Sequence, residues 1–267
     1  MINKLLSVIL LLAFLLPLAF NSKAEGISVD AGLTPGQDRI IIRMQYRNII
    51  NKMGDNSMIM HMLPVVVAYG LSPDITLMMR NAYRAVGTNE TMMEMESQWM
   101  DPFLMGKVKL YRHNAQNYVI GVAGFAGSTF PVWSSSEEKT YSPVVGINAS
   151  YRPGLWSLDL NNAHEWVNYH AGEKQSETRQ MQLNLAISRN LFIPGFNNLV
   201  IAQVQEFSFV RNNPVTGESD SFGFISPGFQ IVSPHIKFEG LYQIAVNPSP
   251  SGIKNGNRLI WGLRFMF

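Results

Sequence analysis

The sequence contains no cysteine, and charged residues are scarce in it. None of the 267 residues is cysteine, so disulfides cannot stabilise the fold and anchoring through a lipid-modified cysteine is excluded. Only 15% of the residues are Asp, Glu, Lys or Arg, whereas 11% are aromatic. This balance is unusual for a water-soluble protein and favours one that exposes apolar surface.

Long hydrophobic runs are missing beyond the first residues. Residues 1–24 are predicted to be a secretory signal peptide, with Lys4 ahead of an apolar stretch at 5–20 and with the small residues Ser22 and Ala24 at the cleavage site. The alternative is an uncleaved N-terminal anchor. No later run reaches the roughly 18 apolar residues of a membrane-spanning helix, which excludes a helical inner-membrane protein.

The net charge of the remaining chain is close to zero. The signal holds two of the 21 Lys and Arg and none of the 19 Asp and Glu, which leaves 19 basic and 19 acidic residues. Bulk charge therefore indicates no nucleic-acid partner. The sequence also has no Gly-rich phosphate loop and no acidic calcium loop, so no cofactor is expected.

Strict alternation of bulky apolar residues is what the sequence does contain, most clearly at 259–267. The apolar positions are Leu259, Trp261, Leu263, Phe265 and Phe267, and between them lie Ile260, Gly262, Arg264 and Met266. A period of two places the sets on opposite faces of a β-strand. In water such an edge would aggregate, whereas a closed barrel in lipid pairs it with the first strand. The alternative is a buried edge strand of a soluble sandwich.

This last stretch resembles the C-terminal signature of bacterial outer-membrane barrels. The resemblance implies that the barrel-assembly machinery binds it and that Phe267 is the assembly signal. The expected partners are then outer-membrane lipid, the assembly machinery and a small-molecule solute.

Turn residues divide the rest of the chain into twelve predicted strands of about 10–13 residues, the length of a tilted membrane-crossing strand. The predicted fold is all-β, a transmembrane antiparallel up-and-down β-barrel of about 12 strands within residues 25–267. The strands are predicted at 38–51, 58–70, 75–86, 102–112, 117–127, 141–152, 155–166, 178–190, 198–210, 221–232, 235–246 and 257–267.

Short and long connections alternate along these strands. The short ones lie at 71–74, 113–116, 153–154, 191–197 and 233–234, and the longer ones include 87–101, 128–140, 167–177, 211–220 and 247–256. Bacterial barrels have short periplasmic turns and longer external loops. The alternation predicts that both chain ends of the barrel face the periplasm.

One hairpin carries a family resemblance. From Leu63 to Leu77 the sequence reads Leu-Pro-Val-Val-Val-Ala-Tyr-Gly-Leu-Ser-Pro-Asp-Ile-Thr-Leu. This stretch resembles a hairpin of the MetA-pathway phenol-degradation family of outer-membrane barrels. The resemblance implies passage of small, often aromatic or hydrophobic, compounds across the outer membrane.

Charged residues at alternate strand positions are predicted to line the lumen. The predicted lumen residues are Arg39, Arg43, Arg47, Arg80, Arg84, Lys107, Lys109, Arg152, Asp159, Lys237, Glu239 and Arg264. This mostly cationic set favours anions if the lumen conducts. The alternative is that the basic and acidic side chains cross-link a closed interior.

The leading interpretation is a channel or facilitator for small molecules, and a structural or interaction barrel with a closed lumen is one alternative. A second alternative is a barrel-borne lipid hydrolase, although the His-x-Ser arrangement of the outer-membrane phospholipase is missing. His164, Glu165 and His170 could bind a metal, but their spacing fits no standard site. We expect no catalytic and no metal residue. The Met-rich segment 92–100 either binds a soft metal or packs at the barrel mouth.

Overall fold

The computed structural model describes residues 26–28, 31–53, 56–88, 96–133, 140–170, 175–192, 199–215, 218–246, 253–254 and 256–267. Its strands are β1 (Ile40–Met53), β2 (Asn56–Gly70), β3 (Ile75–Thr88), β4 (Glu96–Trp99), β5 (Phe103–Asn114), β6 (Tyr118–Thr129), β7 (Ser142–Pro153), β8 (Trp156–His170), β9 (Gln175–Phe192), β10 (Val200–Pro214), β11 (Asp220–Val232), β12 (Ile236–Val246), β13 (Ile253–Lys254) and β14 (Arg258–Met266). Among these residues there is no helix long and apolar enough to cross a membrane.

The sheet closes on itself as a barrel of twelve strands. Neighbours along the chain pair antiparallel, and β14 pairs with both β12 and β1. Both β4 and β5 pair with β3, at different heights, and β13 and β14 pair in the same way with β1. Each of these pairs of segments counts as one barrel strand. The predicted up-and-down barrel of twelve strands is confirmed.

Side chains alternate between the two faces of the wall, as the sequence pattern predicts. In β12, Ile236, Tyr242 and Ile244 are exposed on the outside, whereas Lys237 and Glu239 are buried inside. Apolar residues thus cover the outer surface and polar residues fill the interior, the reverse of a soluble fold. The soluble sandwich is wrong, because its apolar faces would be buried against each other.

Tight turns occupy one end of the barrel, where β1 starts and β14 finishes; we call it the turn end and the opposite end the loop end. The turn after β2 is held by the Ser72 hydroxyl, which accepts hydrogen bonds from the backbone N–H groups of Asp74 and Ile75 at 3.2 and 3.1 Å. The hairpin after β7 has Gly154 at a φ of 55°, which a glycine adopts without steric cost.

The wall is interrupted between β4 and β5, inside a stretch that the sequence pattern assigned to a loop at 87–101. β3 runs on to Thr88, and β4 pairs with its loop-end part, from Tyr83 to Val86. Pro102 lies in the break between Trp99 and Phe103, and proline lacks the N–H that a continuous ladder requires. A β-bulge between Lys109 and Tyr111 shifts the register again in β5.

Several sequence predictions lie outside the described residues. They are the signal peptide at 1–24, residues 92–95 of the Met-rich segment, and parts of the longer connections, such as 134–139 and 247–252.

Candidate functional site: the lumen

An N-terminal segment lies inside the barrel, a feature that the sequence did not predict. We call the described residues 26–28 and 31–35 the plug. Ile27 of the plug is fully buried and packs with Val204, Leu241 and Ile260 from the barrel wall. Further along, Gly32 is so close to the wall that an added Cβ would lie 2.6 Å from the Gly121 carbonyl oxygen.

Carboxylates of the wall bind the backbone of the plug. Glu206 accepts hydrogen bonds from the N–H groups of Ile27 and Ser28 and from the Ser28 hydroxyl. Asp159 accepts one from the Gly26 N–H at 3.1 Å. Both residues are buried, with at most 1% of their surface exposed to solvent. The N–H groups of the plug therefore compensate part of the cost of burying two charges.

Donors of the wall bind the carbonyl groups of the same segment. Lys107 donates to the Ala31 carbonyl, and Gln45 donates to the Ile27 carbonyl at 3.2 Å. The Ser150 hydroxyl in turn accepts from the Gly32 N–H at 2.8 Å. Because the plug forms no strand, the wall replaces the hydrogen bonds that a sheet would have supplied.

An ion-pair cluster spans the seam where the barrel closes. Arg43 of β1 and Arg264 of β14 are direct cross-strand partners, on the first and last strands that closure was predicted to bring together. Between them lies Glu239, with its carboxylate 2.6 Å from Arg43 Nε and 3.5 Å from Arg264 Nη2. Gln45 donates to the same carboxylate at 2.8 Å. One buried acid thus bridges two like charges that would otherwise repel.

A second ion pair lies in the turn-end half. Arg152 approaches Asp159 at 3.6 Å, and Ser150 donates to the same carboxylate. Arg43, Arg152 and Arg264 are therefore cross-links of the interior.

Three other arginines face open space in the loop-end half. Arg47, Arg80 and Arg84 line a cavity of about 460 Å³ that we call the loop-end cavity. Arg47 donates to the neutral amide of Gln45 at 2.7 Å, and Arg80 lies 4.7 Å from the centre of the Phe103 ring. Among the described residues, no carboxylate lies within salt-bridge distance of these three.

Two further cavities continue from the first along the wall of β1, β2 and β3. A central cavity of about 240 Å³ shares Arg47, Arg80 and Phe103 with the loop-end cavity and reaches Ser28 of the plug. A turn-end cavity of about 170 Å³ shares Arg43 with the central one and runs beside the plug to Thr34. The turn-end cavity therefore lies between the plug and the wall of β1, β2 and β3, whereas the central cavity extends across the lumen to β8 and β9.

The predicted lumen residues divide into groups by position. Arg47, Arg80 and Arg84 line the loop-end cavity, Arg43, Arg152, Asp159, Glu239 and Arg264 form ion pairs, and Lys107 binds the plug. Lys237 is buried in β12. Arg39 is exposed at the turn end ahead of β1, and Lys109 pairs with Asp74 at the nearby turn. The role of this set in lining a conducting lumen stays a prediction.

Two important interior residues were not predicted from sequence. Glu206 lies between Val204 and Ser208 on the inner face of β10, and the period of two in that strand could have placed it there. Phe103 also faces inward, because it pairs with Arg80 across β3 and β5. The period of two from Lys107 and Lys109, which were predicted to line the lumen, could have placed Phe103 there as well.

Two members of the histidine cluster considered in the sequence, His164 and Glu165, point to opposite faces of the wall, and the side chain of the third, His170, lies outside the described residues. His164 is exposed on the outer face of β8, and Glu165 faces the lumen, since consecutive residues of a strand point in opposite directions. Across the described ranges, no group of three or more His, Cys, Asp and Glu residues could hold a metal ion.

Comparison with solved structures supports the fold. An outer membrane channel from Pseudomonas putida F1 matches with a TM-score of 0.61 and 13% identity over 92% of this chain and 100% of that one. The beta domain of the Bordetella autotransporter BrkA matches with a TM-score of 0.52 and 9% identity, over 86% and 100%. No family model and no curated protein sequence match. The chain is thus a barrel of the outer-membrane type, and the resemblance to the MetA-pathway family stays a prediction.

Proposed function

We propose that this protein is an outer-membrane channel or facilitator for small molecules, with a narrow cationic path between the plug and the wall of β1, β2 and β3. The series of three cavities that share lining residues from the loop end to Thr34 carries the proposal. The apolar outer surface and the likeness to two outer-membrane barrels support the location. Lipid would contact that surface, and Phe267 would be the signal for the assembly machinery.

Size limits what such a path could pass. The cavity volume falls from about 460 Å³ at the loop end to about 170 Å³ beside the plug. A twelve-stranded barrel is intermediate in width between an eight-stranded barrel filled by side chains and an open porin of 16–18 strands. Small solutes fit, and larger ones would require the plug to move.

Charge favours anions along the same path. The three arginines of the loop-end cavity face Glu165 and Asp101, and Asp101 accepts hydrogen bonds from the N–H groups of Val132 and Trp133 at 2.9 and 2.7 Å. Cations that line a narrow passage with low-dielectric walls attract anions and repel cations.

Conductance of the purified protein in planar bilayers tests this function. We expect a small conductance with chloride preferred over potassium, and a weaker or reversed preference in the double variant Arg80→Glu/Arg84→Glu. Leu263→Val, on the lipid side of β14, should leave the ion preference unchanged. Absence of both conductance and solute-dependent liposome swelling would reject the channel.

The plug favours a second candidate, a barrel with a closed lumen that serves a structural or interaction role. Its hydrogen bonds to Glu206, Asp159 and Lys107 resemble cross-links more than a loose gate. Under this alternative the same experiment gives no conductance, and functional residues would lie on the loops.

A further inference from the structure

The loop-end cavity combines positive charge with aromatic surface. Three guanidinium groups, those of Arg47, Arg80 and Arg84, line it together with Phe103 and Trp99. Its volume of about 460 Å³ lies in the range of about 300–1,000 Å³ that is typical of small-molecule sites. The cavity is therefore large enough for an organic ligand, beyond what the passage of simple ions requires.

The arginines of the cavity form no ion pair with the described part of the chain. Arg47 is bound to a neutral amide, and Arg80 is placed against an aromatic ring. Glu165 lines the cavity too and attracts Arg80 electrostatically, but it lies beyond salt-bridge distance of that guanidinium group. This differs from the turn-end half, where Arg43 and Arg264 share Glu239. An anionic ligand would supply a partner, and planar guanidinium groups suit a carboxylate.

The aromatic surface comes from both faces of the interrupted wall. Phe103 faces the lumen, whereas Trp99 pairs with Tyr83 across β3 and β4 and so lies on the outer side. Trp133 joins them in the cavity lining. Trp99 lines the cavity from the edge of the interruption between β4 and β5, and Trp133 lines it from the segment after β6.

We infer that the loop-end cavity binds aromatic monocarboxylates, with the carboxylate at Arg80 and Arg84 and the ring against Phe103 and the tryptophans. This inference rests on the proposed function, because it names the solute class that the lumen accepts. A neutral hydrophobic solute would bring no anionic partner for the guanidinium groups. A small hydrophilic anion would leave the aromatic surface unused.

Calorimetric titration of the detergent-folded protein tests the site without requiring conduction. Benzoate is the probe, benzyl alcohol is its neutral analogue and acetate is the anion without a ring; each is also titrated into empty micelles. We expect benzoate to bind at least tenfold more tightly than either. The double variant Arg80→Gln/Arg84→Gln should lose at least tenfold in benzoate affinity with unchanged benzyl alcohol binding.

Two further variants test whether the Phe103 ring contributes to benzoate binding and whether a cation outside the cavity does not. Phe103→Leu should weaken benzoate binding and leave acetate binding unchanged. Arg211→Gln, which removes an exposed cation outside the cavity, should change neither. The heat-dependent gel shift of each variant confirms that its barrel is folded.

The possible outcomes distinguish failure of the proposed binding site from failure of the proposed channel. Equal binding of benzoate and benzyl alcohol, equal binding of benzoate and acetate, unchanged affinity in the arginine variant, or no benzoate binding would each overturn the site. Conductance in bilayers together with any of these results would leave the channel standing. Benzoate binding without conductance or swelling would instead reject the channel and leave a closed barrel that binds this ligand.

Discussion

At the scale of single residues, the described interior separates charges that are paired from charges that are not. Glu239 is fully buried and accepts hydrogen bonds from Arg43 and Gln45. The two arginines at the seam face each other in register, so they depend on this acid. A buried charge that loses its partner is far costlier than an exposed one.

Removing this acid should therefore destabilise the barrel. Glu239→Gln keeps the shape of the side chain but takes away the anion that Arg43 and Arg264 share. We expect the free energy of unfolding to fall by about 3–5 kcal/mol, measured by urea unfolding of the folded protein in detergent micelles.

An exposed ion pair provides the control for that variant. Asp74→Asn removes the partner of Lys109 at the turn end, where the Asp74 side chain is 60% exposed. This change should cost no more than about 1 kcal/mol. Equal losses of unfolding free energy in Glu239→Gln and Asp74→Asn would mean that the ion-pair cluster at the seam stabilises the barrel no more than a surface ion pair does.

At the scale of elements, the plug depends on one close approach. A Cβ at Gly32 would lie 2.6 Å from the Gly121 carbonyl oxygen and 2.8 Å from the Ser150 nitrogen. Both are backbone atoms of the wall, so neither can move aside without disturbing the sheet. Any side chain at Gly32 must displace the plug.

Gly32→Val should accordingly enlarge the path through the lumen. We expect a larger single-channel conductance in planar bilayers, because the plug can no longer pack against β6 and β7. Gly36→Ala is the matched control, since the nearest atom to its added Cβ would be Arg39 Cγ at 3.6 Å. An unchanged conductance in a folded Gly32→Val protein would show that the plug does not limit passage.

The sequence predicted the strands of the barrel wall well, but it did not predict the plug or which charges form ion pairs inside the barrel. Alternation in segments such as 236–246 is a local signal, and it gave both the strands and their inward residues, Lys237 and Glu239 among them. The plug has no such signal, because it forms neither strand nor helix and is held by side chains distant in sequence, such as Glu206 and Lys107. The pairing of charges was equally hidden. Arg43 and Arg80 look alike in sequence, but of these two only Arg43 forms an ion pair within the described residues.

At the scale of the whole molecule, charge is distributed unevenly along the barrel axis. Ion pairs and plug contacts fill the turn-end half, and the arginines of the loop-end cavity lie in the other half. If the turn end faces the periplasm, a solute from outside meets the cationic and aromatic cavity first and the plug afterwards. The direction of insertion therefore decides whether an entering solute meets the loop-end cavity first, where the cavity would capture it, or last, where the cavity would release it.

Labelling of single cysteines on intact cells determines that direction. The chain has no cysteine of its own, so an introduced one is the only thiol by which this protein can be labelled. Ser219 is exposed at the loop end between β10 and β11, and Gln116 is exposed at the turn between β5 and β6. Short turns of bacterial barrels face the periplasm. We expect an impermeant maleimide to label Ser219→Cys on intact cells and Gln116→Cys only after the outer membrane is permeabilised. Labelling in the opposite order would place the plug on the outside and make the arginine cavity the last site that an entering solute meets.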